Sequence, residues 1–332
     1  MKAILNKLLG HRDLSIDEAR EVMDRIMSGE FNDAQIAAFL VALRAKGETS
    51  SEIAGFARAM REKMIKVPVK VDAIDMCGTG GDAKGTFNIS TVASFVVAGT
   101  GVPVAKHGNR SITSSCGSAD VLAALGVDID MKPNKVVLAV EQVGLGFMFA
   151  PSLHPAMKHV MPARKALGIR TVFNILGPLS NPAGARRQLL GIFDGTLTET
   201  LAEVLKKLGS RQALLVHGED GLDELTTTTS SKVSRLFDTG VVKSSIVNPR
   251  SLGLPQASLD DLKGGAPEEN AKMATDILQG QPGPKRDIVV LNAAAGLMVG
   301  GAAADLKAGI ALAGESIDSG RALNVLEKLA DF

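Results

Sequence analysis

The sequence contains no tryptophan and no tyrosine, so phenylalanine supplies every aromatic side chain and none of these rings carries a hydroxyl or an indole N–H. A chain of average composition would hold several of each. Cysteine is nearly absent too: Cys77 and Cys116 are the only two, too few for a disulfide framework or a Cys-rich zinc site, and a reducing, cytoplasmic setting is expected. Charge of one sign is not in excess. With 37 basic and 36 acidic side chains the formal net charge is +1, which leaves no surplus of cations to coat a nucleic acid. Long hydrophobic runs are also missing. Met1 to Leu9 is interrupted by Asn6 and Lys7 before a signal-peptide core can form, so secretion is not expected. The longest uncharged run, Ile288 to Ala304, carries Asn292, Gly296, Gly300 and Gly301 and falls short of the ~18–20 apolar residues of a membrane helix. It reads as a buried strand followed by a helix.

What is present is a 332-residue chain with 45% hydrophobic residues, enough for two domains and a large core. The first 67 residues read as three helices. Ser15 and Glu18 form a capping box ahead of an apolar stripe through Ala19, Val22, Met23 and Ile26; Asn32 opens a second helix ending at Gly47; Thr49 and Glu52 cap a third. From residue 68 to 332 the pattern changes to short apolar runs separated by glycine, with helical stretches such as Thr91 to Val97 between them. Val71–Met76, Val102–Ala105, Ala213–Val216 and Ile288–Leu291 read as buried parallel strands, so this part is expected to be an α/β domain with a mostly parallel sheet. Prolines thicken between Pro151 and Pro182, where the chain is expected to return, near 152–182, to the helical unit.

Open α/β sheets bind ligands beyond the carboxyl ends of their strands. Four such places are unusually polar. Cys77-Gly78-Thr79-Gly80-Gly81-Asp82 is a glycine-rich turn whose backbone N–H groups could converge on an anion. Through Gly78, Gly80 and Ala83 it also fits a relaxed dinucleotide pattern, but the next strand ends in Lys106-His107 rather than in the acid that holds a ribose, and lysine there suits a phosphate. Thr86, Asn88, Ser90 and Thr91 crowd a helix start; an ordinary cap needs one of them, so an anion or metal–phosphate site is favoured. Lys106-His107-Gly108-Asn109-Arg110-Ser111 leads into a hydroxyl-rich loop. Asp223-Glu224 follows the strand that ends near His217, and beside phosphate-holding loops adjacent carboxylates become plausible magnesium ligands. His154 and His159, five apart and without the glutamate of H-E-x-x-H, do not read as a zinc site.

Taken in order, Cys77–Asp82, Asn88–Thr91, Lys106–Ser118, the Arg164 region with Phe173-Asn174-Ile175-Leu176-Gly177-Pro178-Leu179, Asp223-Glu224 and Asn292 resemble the anthranilate phosphoribosyltransferase family over essentially the whole chain. The resemblance implies a small helical domain joined to a larger domain of nucleoside phosphorylase/phosphoribosyltransferase type, and a homodimer through the helical part. It implies transfer of the phosphoribosyl group of PRPP to the amine of anthranilate, giving N-(5-phosphoribosyl)anthranilate and diphosphate in tryptophan biosynthesis, with anthranilate supplied by a separate synthase and no nucleic-acid or membrane partner. By resemblance, PRPP is held by Gly78, Gly81, Asp82, Thr86, Asn88, Ile89, Ser90, Thr91, Lys106, His107, Gly108, Asn109, Arg110, Ser111, Ile112, Thr113, Ser114 and Ser118. Ser90, Asp223 and Glu224 serve Mg²⁺, expected as two ions per subunit. Anthranilate contacts Gly78, Asn109 and Arg164, with His107, His154 and Pro178 shaping its path. No side chain is expected to act as a clear acid or base; Lys106 and Arg164 give electrostatic support. Arg164 could instead belong to a solvated basic face with Lys158, Lys165 and Arg170. Relatives often carry a tyrosine in Gly191-Ile192-Phe193-Asp194, where this chain has Phe193. Two other functions share the fold: a pyrimidine nucleoside phosphorylase, which would show a Ser-Gly-Arg loop in place of Lys106–Arg110, and a nucleic-acid-binding relative, which would show a basic stripe and a damaged acidic pair.

Overall fold

In the computed structural model, which describes residues 1–110 and 115–332, the chain opens with four helices rather than three: α1 (Lys2–Leu9), α2 (Ile16–Met27), α3 (Asp33–Lys46) and α4 (Ser50–Lys63). The first is only two turns long, too short to stand alone, and is held by burying Leu8 with Ile4 and Leu5 against the bundle. Both capping boxes form. The Glu18 carboxylate takes the Ser15 N–H at 2.7 Å, and Glu52 takes the Thr49 N–H at 2.8 Å. Glu52 also accepts the Leu14 N–H at 3.0 Å and pairs with Lys46 at 2.9 Å while fully buried, so one cap ties α4 to the α1–α2 loop and to α3.

A seven-stranded sheet follows, formed by β1 (Ile74–Gly78), β2 (Val104–Gly108), β3 (Leu145–Phe149), β4 (Arg187–Gly191), β5 (Gln212–Gly218), β6 (Ser231–Leu236) and β7 (Val242–Val247), in the order β3-β2-β1-β4-β5-β6-β7. The first five strands in that order run parallel and the last two antiparallel, which makes the sheet mostly parallel, as expected. Between the strands lie α5 (Ile89–Gly99), α6 (Ser118–Ala124), α7 (Pro133–Leu138), α8 (Ala150–Leu153), α9 (Met161–Leu167), α10 (Phe173–Leu176) and α11 (Thr198–Lys207), and after β7 come α12 (Pro267–Leu278), α13 (Pro284–Gly300), α14 (Leu306–Asp318) and α15 (Arg321–Ala330).

One expected strand is absent. Ile288–Leu291 lies inside α13, begun by Pro284 in its first turn after Gly283. All four residues are buried because α13 is wedged between the sheet and the helices α5 and α14, so every side of it is apolar and the helical period vanishes from the sequence. No helix among the described residues is long and apolar enough to cross a membrane.

Side chains alternate across the strands. Met76, Leu189, Leu214 and Val216 join the apolar cluster under α5, α13, α14 and α15. Cys77, Leu190, Ala213 and Leu215 join the opposite cluster, which includes α2–α4, α11 and the residues Val160, Ala163, Val172, Phe173 and Leu176 of the returning segment. Hence neighbouring residues at a strand's carboxyl end are delivered to two different compartments.

Candidate active site

Beyond β1 the chain enters a left-handed run: φ is +68° at Gly80, +78° at Gly81, +57° at Ala83 and +68° at Gly85. Glycine adopts that backbone without strain, whereas Ala83 is one of only two non-glycine residues with positive φ among the described residues. The turn is braced by the Thr79 N–H, which donates to the Gly191 carbonyl at 2.9 Å, and by the Phe193 N–H, which donates to the Thr79 hydroxyl at 3.0 Å. Its Gly80 N–H is not free for an anion; it donates to the Asp223 carboxylate at 2.7 Å. A Cβ at Gly78 or Gly191 would strike Asp223, so those two glycines let the acid approach the sheet.

Four groups meet where α5 begins. The Ser90 N–H donates to Glu224 at 3.1 Å, and the Lys106 ammonium donates to the Ser90 hydroxyl at 3.3 Å and to the Met76 carbonyl at 2.5 Å. Lys106 is 2% exposed, and burial pushes its ammonium pKa down while Cys77, Asp75 and Glu224 pull it back. Burial is also the main influence on the two acids. It and repulsion from Asp82 raise the Asp223 carboxyl to about 7, and it and repulsion from Asp223 raise Glu224 to about 8. Two raised carboxyls, Asp82 and the Ser90 hydroxyl form an oxygen-rich donor set of the kind a hard cation prefers, and the α5 N-terminus beside them offers N–H groups to an anion. No group of three or more His, Cys, Asp or Glu among the described residues can enclose a metal alone, so most of the coordination sphere would have to come from ligand oxygens and water.

The segment after Glu224 is held by Asn292 of α13. Its Oδ1 accepts the Leu225 N–H at 3.0 Å, and its Nδ2 donates to the Leu225 carbonyl at 2.8 Å. Asn88, the residue before α5, does not cap that helix with its side chain. Instead its carboxamide reaches the Cys116 carbonyl at 3.1 Å and accepts from Asn270 of α12 at 3.0 Å, tying the α5 start to the loop before α6. Thr86 bridges to Lys263. Thr91 is buried, with its N–H on the Asn88 carbonyl. Ile89 is not brought to the site by its side chain, which is in the core, and its N–H is spent on the Phe87 carbonyl.

At the end of β2, Gly108 is so close to Ser118 that a Cβ would strike the hydroxyl, and that hydroxyl donates to the Asn109 carbonyl at 3.2 Å. Arg110 pairs with Asp120 at 2.7 Å and leaves its side chain half-exposed above this loop. Ser111, Ile112, Thr113 and Ser114 lie outside the described residues.

His107 points to the other face. Its ring meets His154 Nε2 to Nε2 at 3.2 Å, and both rings are buried. Burial, together with the neighbouring imidazole, lowers His107 to about 3, and burial lowers His154 to about 4. Both are therefore neutral at physiological pH and unsuited to donate a proton as an imidazolium. Pro178 is half-buried, its carbonyl accepting from Gln188 at 2.7 Å, and the flanking Gly177 and Ser180 backbones face the His107 and His154 rings. Arg164 lies on α9 with its guanidinium over the Phe173 ring at 5.5 Å. Burial lowers its pKa, and one guanidinium N–H reaches the Met161 sulfur at 3.8 Å. Such a half-buried guanidinium is free to take a planar anion in two-pronged fashion.

Sequence reasoning missed Asp75, Gln188 and Arg170 as parts of this region. Arg170 donates to the Gly81 carbonyl and stacks over Phe193 at 4.3 Å, joining the returning segment to the glycine turn. Asp75, a lone carboxylate inside an otherwise apolar strand, was the available signal for a polar patch within the sheet.

Comparison with known proteins agrees with this arrangement. Residues 70–323 match the model of the glycosyl transferase family a/b domain, and residues 2–64 match its helical bundle domain. An anthranilate phosphoribosyltransferase of Desulfatibacillum aliphaticivorans is 52% identical over 330 residues, covering 99% of this chain and 97% of the relative. The chain belongs to the anthranilate phosphoribosyltransferase family. Within that family, the solved enzyme of Thermus thermophilus superposes with a TM-score of 0.94 at 46% identity, covering 99% of this chain and 98% of its own. The anthranilate phosphoribosyltransferase of Saccharomyces cerevisiae in complex with PRPP and Mg gives 0.91 at 30% identity, covering 99% and 96%. Family membership sets the nucleoside phosphorylase and nucleic-acid readings aside.

Proposed function

We propose that the protein transfers the 5-phosphoribosyl group of PRPP to the amine of anthranilate, releasing diphosphate, with Mg²⁺ as its metal ion. The observation that carries this reading is the meeting of Lys106, Ser90, Asp223 and Glu224 beside a left-handed glycine turn, in a chain whose full length matches the family. Mg²⁺, when bound, would neutralise charge on the diphosphate as it departs. Two ions fit two carboxylates that face different parts of the cleft, Asp223 toward the glycine turn and Glu224 toward α5.

In this reading Lys106 and the α5 N-terminus hold the polyanion, with Gly108, Asn109 and Ser118 at the end of β2 beside it. The C1–O bond of PRPP breaks and its electron pair leaves with diphosphate; the lone pair of the amine closes the new C1–N bond. The surplus proton on nitrogen is lost to solvent or to diphosphate after that bond forms, when the nitrogen is strongly acidic. No strong base is then needed, in keeping with two histidines whose lowered pKa makes them weak proton acceptors. Arg164 grips the acceptor carboxylate and aims the amine, and the neutral His107, His154 and Pro178 form an uncharged wall that accepts its ring.

We further propose that residues 1–67 and 152–182 form one helical unit and that a second copy of the chain docks on it. The apolar cluster common to α2–α4 and Val160–Leu176 supports the first point. Leu9 of α1, Val41 of α3 and Met161 of α9, exposed on helices that pack together, support the second. Sedimentation at micromolar concentration should give twice the chain mass, and a monomer would remove the docking face. The test of the activity is the loss of anthranilate fluorescence with PRPP and Mg²⁺, for which a protein without Trp or Tyr gives a dark background. Loss that needs both additions supports the reading; loss with neither, or none at all from folded protein, overturns it.

A further inference from the structure

The sheet face that carries His107 also carries a polar patch that the proposed reaction does not use. Asp75 on β1 is fully buried and sits in register with Gln188 on β4. Gln188 Nε2 donates to Asp75 at 3.1 Å and, across the cleft, to the Pro178 carbonyl at 2.7 Å. The other Asp75 oxygen accepts the His107 N–H at 3.2 Å. Asn181 donates to the Ala105 carbonyl at 2.9 Å, and its side chain lies close enough to favour the ionised form of Asp75. One carboxylate thus gathers the strand that bears His107 and the two carboxamides that fasten the Gly177–Asn181 turn.

A carboxylate without a cation in contact is costly to bury, and an apolar pair would fill the same register more cheaply. Lys106, whose charge is felt at Asp75, makes no ion pair with it and donates instead to the Met76 carbonyl and the Ser90 hydroxyl. Fold stability therefore does not account for the patch, whereas the position of the two walls it joins does. We infer that Asp75 and Gln188 are positioning residues for the acceptor: they set the gap between the His107 wall and the Pro178 wall, and so the fit of the anthranilate ring, without touching it. This inference rests on the assignment of His107, His154 and Pro178 to the acceptor. A shift of either wall should weaken acceptor binding and leave PRPP binding, which uses the opposite face, unchanged.

Gln188→Met keeps length and volume and removes the hydrogen bonds donated to Asp75, the Pro178 carbonyl and the Cys77 sulfur; Asp75→Asn keeps shape and removes the acid. For Gln188→Met the expected result is about a tenfold rise in KM for anthranilate, with KM for PRPP and kcat at saturating anthranilate within about twofold. Asp75→Asn should show the same split at about threefold, and decides the matter if Gln188→Met does not fold. A residue that only supported the fold would lower the melting temperature and shift both KM values or neither. An unchanged anthranilate KM in a folded variant, or a PRPP KM that rises in step, overturns the inference. If the wild-type protein itself does not consume anthranilate with PRPP and Mg²⁺, the proposed function fails and the inference falls with it; wild-type turnover with an unmoved KM defeats the inference alone.

Discussion

The two faces of the central sheet are lined by alternate residues of the same strands, yet they handle charge in opposite ways. On one face Lys106 reaches Ser90 beside Glu224, with Asp223 close by: a buried cation and two acids held above their usual pKa. On the other, His107 and His154 are both neutral, and the single acid, Asp75, is surrounded by N–H and thiol donors rather than by a cation in contact. The first face is built with charges that a polyanion and its metal would rebalance. The second keeps its two imidazoles neutral, which suits an uncharged amine. The lesson is that a single dipeptide, Lys106-His107, serves two compartments because a strand turns successive side chains to opposite sides.

The sharpest way to break this contrast is to neutralise the charged face. Asp223→Asn with Glu224→Gln should cut turnover at fixed Mg²⁺ by roughly a thousandfold or more. Its melting temperature should hold or rise, because two buried acids that repel each other when ionised are replaced by neutral amides. A Mg²⁺ titration of the double variant checks this: an unchanged rate curve would take the two carboxylates out of the mechanism. Lys106→Met comes next, with an expected loss of about a hundredfold in kcat/KM for PRPP and a smaller change in KM for anthranilate. If the anthranilate term suffers more, the division between faces is wrong.

The neutral face gives the smallest effect, and it appears in stability. His107 and His154 titrate near 3 and near 4 when folded, far below a free imidazole. From about pH 6.5 downward the unfolded chain takes up protons that the folded chain refuses, so stability present at neutral pH is lost as pH falls toward 4. Each unit in that window removes at most about 1.4 kcal/mol per imidazole. Thermal melts of the wild type and of His154→Phe between pH 7 and pH 4.5 should converge; parallel curves would show that these rings do not resist protonation.

Much of this was legible in the chain because its signals are local. The boxes Ser15–Glu18 and Thr49–Glu52, the strands at β1, β2 and β5 and the α5 helix each depend on residues within one turn or one pleat. The candidate site residues could be named but not placed, since the contacts that arrange them join residues far apart in sequence: Gly80 with Asp223, Ser90 with Glu224, Leu225 with Asn292. The misread run Ile288–Leu291 fails for a different reason. Where an element is surrounded on all sides by apolar neighbours, neither the helical nor the strand period survives, and only the Gly283-Pro284 start and the 17-residue length distinguish the helix. β3 was overlooked similarly, its first four residues being buried with no alternation to reveal it, while the polar β6 and β7 have no continuous apolar run.

Asn292 has a further consequence, for motion. Leu225 belongs to an irregular segment next to the acidic pair, where a backbone amide would ordinarily exchange with solvent quickly. Because that amide is bonded to a side chain in the fully buried interior of α13, it can open only if the helix withdraws or the loop peels from the core. Its hydrogen should then exchange on the timescale of the central strands, hours rather than seconds in deuterated buffer at neutral pH, and Asn292→Ala should release it. The two carboxylates are thus followed directly by a backbone anchor in the buried interior of α13, an anchor that the glycine turn opposite them lacks.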